Sequence, residues 1–385
     1  AQFYVHPLIG RDTFPGTSTL EPFKTVKHVL QSTAVQAAAS LGGGTNVIVR
    51  IIYDGTEDVD ASSTDIDSLT LTAGSVTVLP DSGVNFTLNL NTKLLTLNKG
   101  YRLQGFKIVS GDPSGTRAAI ELAAAGTPLK DMLIDCRGLG TAGTAGVGSG
   151  DRCIEVTASS TTPATVTLDN VDVLIKGDKD FTAGIRHVGT NTILRVINGS
   201  SVVATGPASG NQGVVGILEN SNGGSVEIEG PNTEVNLSAI SPPTSGTPKP
   251  NVAILLKGNS GPARKVINSQ IKVKEATRGQ IGVCVGSNID VTVRDNTFTN
   301  SSSGSNSIAI CRQYGSVIPP TPLPPVNTFI DFSTPPPNTA ERRFLTSSAG
   351  PPGGGGGADG GRGEAGGRAG DQGCVCVAGG GLWLR

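Results

Sequence analysis

The stretch 3–34, FYVHPLIGRDTFPGTSTLEPFKTVKHVLQSTA, predicts how one end of this protein is closed. It contains a short strand at 3–5, a polar loop with glycine and proline over 10–22, and one amphipathic helix. Apolar or small side chains recur on one face of that helix, at Val26, Val29, Leu30, Thr33, Ala34 and Ala37. After the glycines at 42–44 no second convincing helix follows. A lone helix ahead of an all-β body suits a cap over the open edge of a stacked sheet.

Four short motifs punctuate this stretch: Tyr-Val-His-Pro at 4–7, Gly-Arg-Asp at 10–12, Pro-Gly-Thr at 15–17 and Pro-Phe-Lys-Thr-Val at 22–26. Their order resembles the N-terminal cap of secreted right-handed parallel β-helix proteins of the pectate-lyase-like superfamily. The stretch 47–57, VIVRIIYDGTE, is similar to the first rung after that cap, with Glu57 where the family has tyrosine. The resemblance covers 3–57 and implies the fold and secretion. It implies no catalytic residue, because the segment is structural in that family.

The composition favours a β-rich extracellular protein. Of 385 residues, 16% are charged and 4% aromatic, which suits short strands joined by tight turns. A net charge of −1 without a basic block argues against nucleic acid as a partner. No apolar run approaches the roughly 20 residues that span a membrane. The chain starts at Ala1 and has one methionine, Met132, which predicts a processed, secreted or cell-surface protein. An artificial chain start is the alternative.

A degenerate repeat runs through the body of the chain. Short apolar strands recur in steps of 34, 31, 32, 37, 29 and 27 residues, centred on Ile120, Ile154, Ile185, Ile217, Ile254, Val283 and Ile310. A period near 30 with several short strands per unit is what one rung of a parallel β-helix requires. Ankyrin and tetratricopeptide arrays have similar periods but need helices in each unit. A β-sandwich remains the competing architecture, because short strands with turn signals fit it too.

The repeat predicts an all-β, right-handed parallel β-helix with one N-terminal capping helix. Its parts are a cap over 1–44, the β-helix over 45–315, a proline-rich lateral segment over 316–346 and a glycine-rich, disordered tail over 347–385. Proline cannot complete a strand ladder, so the third segment is expected to run along the outside of the solenoid, with a last strand near Phe329.

The six cysteines are few for a disulfide scaffold, and no metal site is expected among them. Cys136 and Cys153 are expected to pair across an insertion loop if the protein is secreted. Cys284 and Cys311 occupy matching places in successive rungs about 4.8 Å apart. They are expected to stack as buried thiols, with a disulfide as the alternative. Cys374-Val375-Cys376 lacks the spacing of a zinc site.

Asparagine recurs at the turns between strands, and this pattern has two interpretations. A ligand row is one, but asparagine tolerates the left-handed backbone conformation and bonds its own backbone. A structural turn ladder is therefore expected, formed by Asn170, Asn198, Asn232, Asn268 and Asn296.

One charged cluster could carry polysaccharide chemistry. Lyases and hydrolases on such a scaffold need either clustered carboxylates, for acid–base work or calcium, or a Lys or Arg base beside them, along one groove. The best candidates are Asp135, Lys176, Asp178, Asp180 and Arg186. A solvated loop between strands explains the same charges, and aromatic platforms for sugar stacking are scarce. No cofactor is expected, although a lyase would use calcium.

These observations favour a non-catalytic extracellular or surface protein, a rigid rod that binds a polysaccharide or assembles with copies of itself as a homo-oligomer. A polysaccharide lyase or glycoside hydrolase acting on an acidic polysaccharide is the first alternative. A viral or phage spike or capsid-associated protein shares the fold and is the second.

Overall fold

The computed structural model describes residues 1–60, 62–111, 118–138, 152–176, 182–205, 214–238, 251–258, 261–274, 280–286, 289–300, 308–312 and 327–330. Two short helices stand near the N-terminus, α1 (Val26–Gln31) and α2 (Thr33–Ser40), and a 3-10 turn at Leu41–Gly43 follows them. The other regular elements in these ranges are strands.

The strands are numbered in chain order. The first thirteen are β1 (Gln2–Val5), β2 (Asn46–Ile51), β3 (Gly55–Asp58), β4 (Ile66–Asp67), β5 (Ser75–Pro80), β6 (Phe86–Asn89), β7 (Leu95–Leu97), β8 (Tyr101–Gln104), β9 (Lys107–Val109), β10 (Ala118–Leu122), β11 (Gly126–Cys136), β12 (Arg152–Val156) and β13 (Ala164–Lys176). The remainder are β14 (Thr182–His187), β15 (Thr192–Ile197), β16 (Ser201–Thr205), β17 (Val214–Glu219), β18 (Ser225–Glu229), β19 (Glu234–Ser238), β20 (Asn251–Leu256), β21 (Arg264–Ile267), β22 (Gln270–Lys274), β23 (Gln280–Val285), β24 (Val291–Arg294), β25 (Thr297–Asn300), β26 (Ile308–Arg312) and β27 (Thr328–Ile330).

All the pairings between these strands are parallel, and they form three ladders. The first ladder runs β1-β2-β5-β8-β11-β13-β15-β18-β21-β24, and the second runs β3-β6-β9-β11-β13-β16-β19-β22-β25-β27. The long strands β11 and β13 contribute to both, so the two ladders form one 18-stranded sheet. The third ladder is a nine-stranded sheet, β4-β7-β10-β12-β14-β17-β20-β23-β26. The chain visits the ladders in turn, and the fold is a right-handed parallel β-helix.

The predicted repeat corresponds to one column of the nine-stranded sheet. The register pairs Ile120 with Ile154, Ile154 with Ile185, and so on along the predicted centres to Ile310. These side chains are at most 5% exposed and belong to a single core that fills the solenoid. The period in the sequence is therefore the length of one rung, set by the need to place the next apolar side chain on the previous one.

The turns between the first two ladders account for most of the predicted asparagines. Asn170, Asn198 and Asn268 have φ between 51° and 57°, the left-handed conformation that asparagine tolerates. In the last rung the left-handed residue is Asp295, with φ 58°, while the buried Asn296 donates a hydrogen bond to the Val266 carbonyl over 2.7 Å. Asn170, Asn198, Asn268 and Asn296 therefore have structural roles at the turns, whereas Asn232 does not have a left-handed backbone.

The cap differs from the predicted continuous helix at one residue. Ser32 has an extended backbone and its hydroxyl accepts a hydrogen bond from the Val35 amide, so it ends α1 and begins α2. Val26, Val29 and Leu30 are buried as expected. After the break the helix face rotates. Val35 and Ala39 are the buried residues of α2, whereas the predicted Thr33, Ala34 and Ala37 are exposed.

Glu57, the residue that replaces the family's tyrosine, holds the cap on the first rung. Its carboxylate accepts hydrogen bonds from the amides of Val26 at 2.7 Å and Lys27 at 3.3 Å, the first residues of α1. Burial raises the pKa of Glu57 to about 7, although these two amide bonds act in the opposite direction. Glu57 therefore has a structural role at this position, because it joins the capping helix to the first rung.

Most of the two C-terminal segments lies outside the described residues. This holds for 313–326 and 331–385, so the lateral path of 316–346 and the disorder of 347–385 stay predictions. The exception is β27, which continues the second ladder by pairing Phe329 with Phe298. The expected strand near Phe329 is therefore present.

Cys136 and Cys153, the pair expected to bridge an insertion loop, are joined by a disulfide with Cα atoms 5.6 Å apart. The bond connects the end of β11 to β12 and closes a loop of 17 residues in sequence separation. Changing both residues to alanine should lower the free energy of unfolding by roughly 2 kcal/mol, because the unfolded chain regains loop entropy. Urea unfolding of the double variant beside the parent measures this. An unchanged midpoint would show that the bond does not stabilise the fold.

Candidate functional site

The five candidate residues from the sequence do not form one described cluster. Asp135 lies one residue before the end of β11, in the part of the strand that belongs to the second ladder. Its register partner in β13 is Leu174. Lys176 lies two positions beyond Leu174 on that strand. Arg186 lies on β14, in the other sheet. Asp178 and Asp180 fall outside the described residues.

Asp135 is already engaged by two cations. Its two carboxylate oxygens accept hydrogen bonds from Arg137 Nε at 2.9 Å and Nη2 at 2.7 Å, and Lys107 Nζ on the previous rung lies 3.4 Å away. The Arg137 hydrogen bonds hold the pKa of Asp135 at about 2, well below its ordinary value. This carboxylate is a permanent anion at neutral pH and is unsuited to proton transfer.

A second charged group lies on the outer face of the nine-stranded sheet. The register places Glu121 beside Glu155 and Glu155 beside Arg186 on three consecutive rungs. All three alternate with buried core residues and therefore point away from the interior. Arg152, from the same strand as Glu155, completes the set. Glu121, Glu155, Arg186 and Arg152 are called the charged row below.

The charged row is held by short polar contacts. Glu155 Oε2 lies 3.0 Å from Arg152 Nη2, and Oε1 lies 3.5 Å from Arg186 Nη1. Glu121 Oε1 accepts a hydrogen bond from the Thr157 hydroxyl at 2.7 Å. Burial lowers the pKa of Arg186, and the nearby charge of Arg152 acts in the same direction. Two acids and two guanidiniums thus stand close together on a rigid face with no net charge.

The row extends toward the cap through uncharged and acidic positions. Thr96 is the register partner of Glu121, and Asp67 is the partner of Thr96. Together they give a line of polar side chains over five rungs, spaced by the strand separation of about 4.8 Å.

The sequence contains a signal for this site that charge clustering alone misses. Glu121, Glu155 and Arg186 each directly follow a predicted core isoleucine, Ile120, Ile154 or Ile185. Because side chains alternate along a strand, the residue after each core position faces outward. Aligning the repeats on their isoleucines would have placed these three residues in one line.

The other outer walls carry ion pairs that run along the solenoid. Glu227 on the first ladder lies 3.1 Å from Arg195 and 2.7 Å from Lys265, one on each neighbouring rung. Its carboxylate resembles that of Glu155 in having two cationic partners. Unlike Glu155, Glu227 has no carboxylate as a register partner, since its partners are Arg195 and Lys265.

No group of three or more His, Cys, Asp or Glu side chains within the described ranges is arranged to hold a metal ion. No helix in that part of the chain is long and apolar enough to cross a membrane.

The chain is a parallel β-helix protein, and comparison with known proteins adds little to that statement. No protein family model matches the chain, and no curated protein matches it in sequence. A solved structure described as a rhamnogalacturonan lyase aligns over 80% of this chain and 84% of its own, with 13% sequence identity and a TM-score of 0.34.

Proposed function

We propose that this protein is a non-catalytic glycan-binding β-helix and that the charged row is part of its binding surface. The observation that supports the proposal is the alignment of Glu121, Glu155 and Arg186 on consecutive rungs, with Arg152 beside them.

Carbohydrate recognition suits this combination of groups. Sugar hydroxyls donate and accept hydrogen bonds, so a surface that reads them needs both acceptors and donors. Carboxylates supply the acceptors, and the planar guanidinium groups supply paired donors that also match a uronate carboxylate. Strand positions hold these groups in place before binding, which reduces the entropy lost when a glycan settles on them.

The contacts of Glu155 favour glycan binding over glycan cleavage. Glycoside hydrolysis needs a carboxyl group that can exchange a proton with the substrate. Both oxygens of Glu155 lie beside guanidinium groups, at 3.0 Å and 3.5 Å. A lyase or hydrolase stays the second candidate because Glu121 and Glu155 are direct neighbours, as a catalytic acid pair requires.

Secretion or display at the cell surface belongs to the same proposal. The Cys136–Cys153 disulfide supports it, because such bonds persist in oxidising compartments.

Assembly with copies of itself is a further part of the proposal. It is favoured by large apolar side chains in the cap loop, where Leu8, Ile9 and Leu20 are 68%, 59% and 87% exposed. Sedimentation velocity of the parent and of a Leu8→Ser, Leu20→Ser variant tests it. We expect an oligomer that weakens in the variant, and a strictly monomeric parent would contradict it.

Titration calorimetry should show that Glu155→Gln weakens glycan binding by about 10-fold or more, the loss expected when a charged hydrogen bond is removed. The probes are polygalacturonate and alginate as uronic acid polymers and dextran as a neutral polymer. Glu121→Gln should weaken binding to a similar extent. A glycan array on which the parent binds nothing would contradict the proposal.

Glu227→Gln is the matched control, since Glu227 also contacts two cations on an outer wall. Its binding should equal that of the parent. Absorbance at 235 nm and a reducing-end assay, each with added calcium and with a chelator, report lyase and hydrolase action. Product that disappears in Glu121→Gln but persists in Glu227→Gln would establish the enzymatic alternative instead.

A further inference from the structure

The outer face of the nine-stranded sheet changes character beyond Arg186. Its outward positions become apolar over the last four rungs and are nearly or completely buried. Their exposed fractions are 1% for Val215, 5% for Val252, 4% for Leu255, 3% for Ile281, and 0% for Cys284 and Cys311. These six residues are called the apolar strip below. Together with Ala183 they form a cluster separate from the core inside the solenoid, and the half-buried Leu218 packs against it.

The strip lies on the far side of the sheet from the core. In the register Leu255 pairs with Cys284 and Cys284 with Cys311, each next to a core residue that points inward. Within the described ranges, strands β17, β20, β23 and β26 pair only with one another and with β14 in this sheet. No described helix or strand is stacked on the outward side, so the cover of the strip must be sought elsewhere in the chain or in a partner.

The cysteines point to one occupant. Cys311 is disulfide-bonded, whereas its register neighbour Cys284 is a buried thiol. The expectation of two stacked thiols is therefore correct for Cys284 and wrong for Cys311, and the alternative of a Cys284–Cys311 disulfide is wrong as well. The two residues do lie side by side. Since Cys136 is joined to Cys153, the count of six cysteines leaves Cys374 and Cys376 as partners within one chain.

We propose that the C-terminal segment 374–384 docks on the apolar strip and is tethered there by a disulfide from Cys311 to Cys374 or Cys376. The segment, CVCVAGGGLWL, carries two valines, two leucines and the only tryptophan of the protein, Trp383. Its side chains are complementary to an apolar surface. The 62 residues between Cys311 and Cys374 are ample chain to return to the sheet.

The tether has a simple chemical origin. Two thiols lose two electrons and two protons as their sulfur–sulfur bond forms, and a disulfide oxidant such as oxidised glutathione takes them up and becomes two thiols. Once the bond exists, the segment is held at high effective concentration over the strip, so a weak apolar contact is sufficient to keep it docked.

Peptide mapping of the intact protein without reduction tests the covalent part. Trypsin should release 295–312, which contains Cys311, linked to 369–385, which contains Cys374 and Cys376. Cys311→Ser should abolish the linked pair, and Cys284→Ser, in the same row, should leave it intact. A link from 279–294 to 295–312, or a disulfide-linked dimer of two chains, would overturn the proposal and identify Cys284 or a second copy as the partner.

Trp383 fluorescence tests the docking itself. In the parent its emission should be blue-shifted, and acrylamide should quench it only weakly. The Leu255→Asp variant should lose both the blue shift and the protection from quenching, while the disulfide remains. Ile193→Asp, at a half-buried outward position of β15 in the other sheet, is the control for an added charge and should leave the emission unchanged. If acrylamide quenches Trp383 in the parent as strongly as it quenches a tryptophan in an unfolded chain, the segment does not cover the strip.

Discussion

Replacing Arg264 with methionine should lower the free energy of unfolding by about 3–5 kcal/mol, because it leaves a buried carboxylate without its cation. Arg264 and Glu219 are 2% and 0% exposed, and Arg264 Nη2 lies 3.2 Å from Glu219 Oε1. Glu219 also accepts hydrogen bonds from the Gly258 amide at 3.0 Å, from the Ser221 amide at 3.3 Å and from the Ser221 hydroxyl. These neutral donors cannot neutralise the charge once the guanidinium is removed.

A surface pair provides the control. Arg50 and Asp81 are also an Arg–carboxylate pair between neighbouring rungs, 2.9 Å apart, but each side chain is 38% exposed. Arg50→Met should cost less than about 1 kcal/mol, because water compensates the remaining carboxylate. Chemical denaturation of both variants measures the difference. Equal losses at the two sites would show that Glu219 is solvated or protonated and that burial does not strengthen its dependence on Arg264.

The double variant Glu219→Leu, Arg264→Met separates the value of the pair from the cost of breaking it. Removing both charges avoids the uncompensated carboxylate, so the double variant should be more stable than Arg264→Met alone. Ser221 and Gly258 still lose their acceptor, and full recovery is not expected. A double variant less stable than the single one would show that the hydrogen bonds from Ser221 and Gly258 outweigh the buried charge.

Repetition made much of this fold predictable from sequence. The core column from Ile120 to Ile310 could be identified because each rung must stack an apolar residue on the last one. The left-handed turn residues Asn170, Asn198 and Asn268 could be identified because few residue types accept that conformation. Both features repeat a local requirement once per rung, so the evidence accumulates along the chain.

Features that depend on register between rungs are harder to predict. Glu121 and Glu155 are 34 residues apart in sequence, and they become visible as neighbours only when the repeats are aligned on their core isoleucines. Arg264 and Glu219 are separated by 45 residues, and the loop lengths that bring them together follow no pattern. The break at Ser32 was missed for another reason, since its hydroxyl cap on Val35 competes with a helix that the apolar spacing also allows.

The environment of His187 also depends on the register between rungs, and it leads to a prediction about pH. It shares a column with Leu122, Val156, Leu256 and Val285, all core residues, and with Glu219 as its direct neighbour. The Thr192 hydroxyl donates to the Ala158 carbonyl at 2.9 Å, so it must accept from His187 Nε2, also at 2.9 Å. The hydrogen of the neutral ring is thus on Nε2, and the buried Nδ1 has no hydrogen-bond partner.

Protonating His187 would place a hydrogen on that unpartnered Nδ1. Burial lowers the pKa of His187 to about 4; the charge of Glu219 opposes this shift and that of Arg264 adds to it. The unfolded chain binds this proton below about pH 6.5, whereas the folded protein binds it only near pH 4. The free energy of unfolding should therefore fall as the pH drops from 6.5 to 4, by roughly 3 kcal/mol from this residue.

Urea unfolding of the parent and of His187→Asn across this pH range isolates the effect from other groups, because the remaining titrations are common to both proteins. The variant should be less stable at pH 7, where it loses the packing of the imidazole ring. The gap should then narrow by roughly 3 kcal/mol toward pH 4, since asparagine takes up no proton. A His187 ring signal in NMR spectra that titrates near pH 6.5 would contradict the argument, because it would mean that the folded protein protonates this ring as readily as the unfolded chain does.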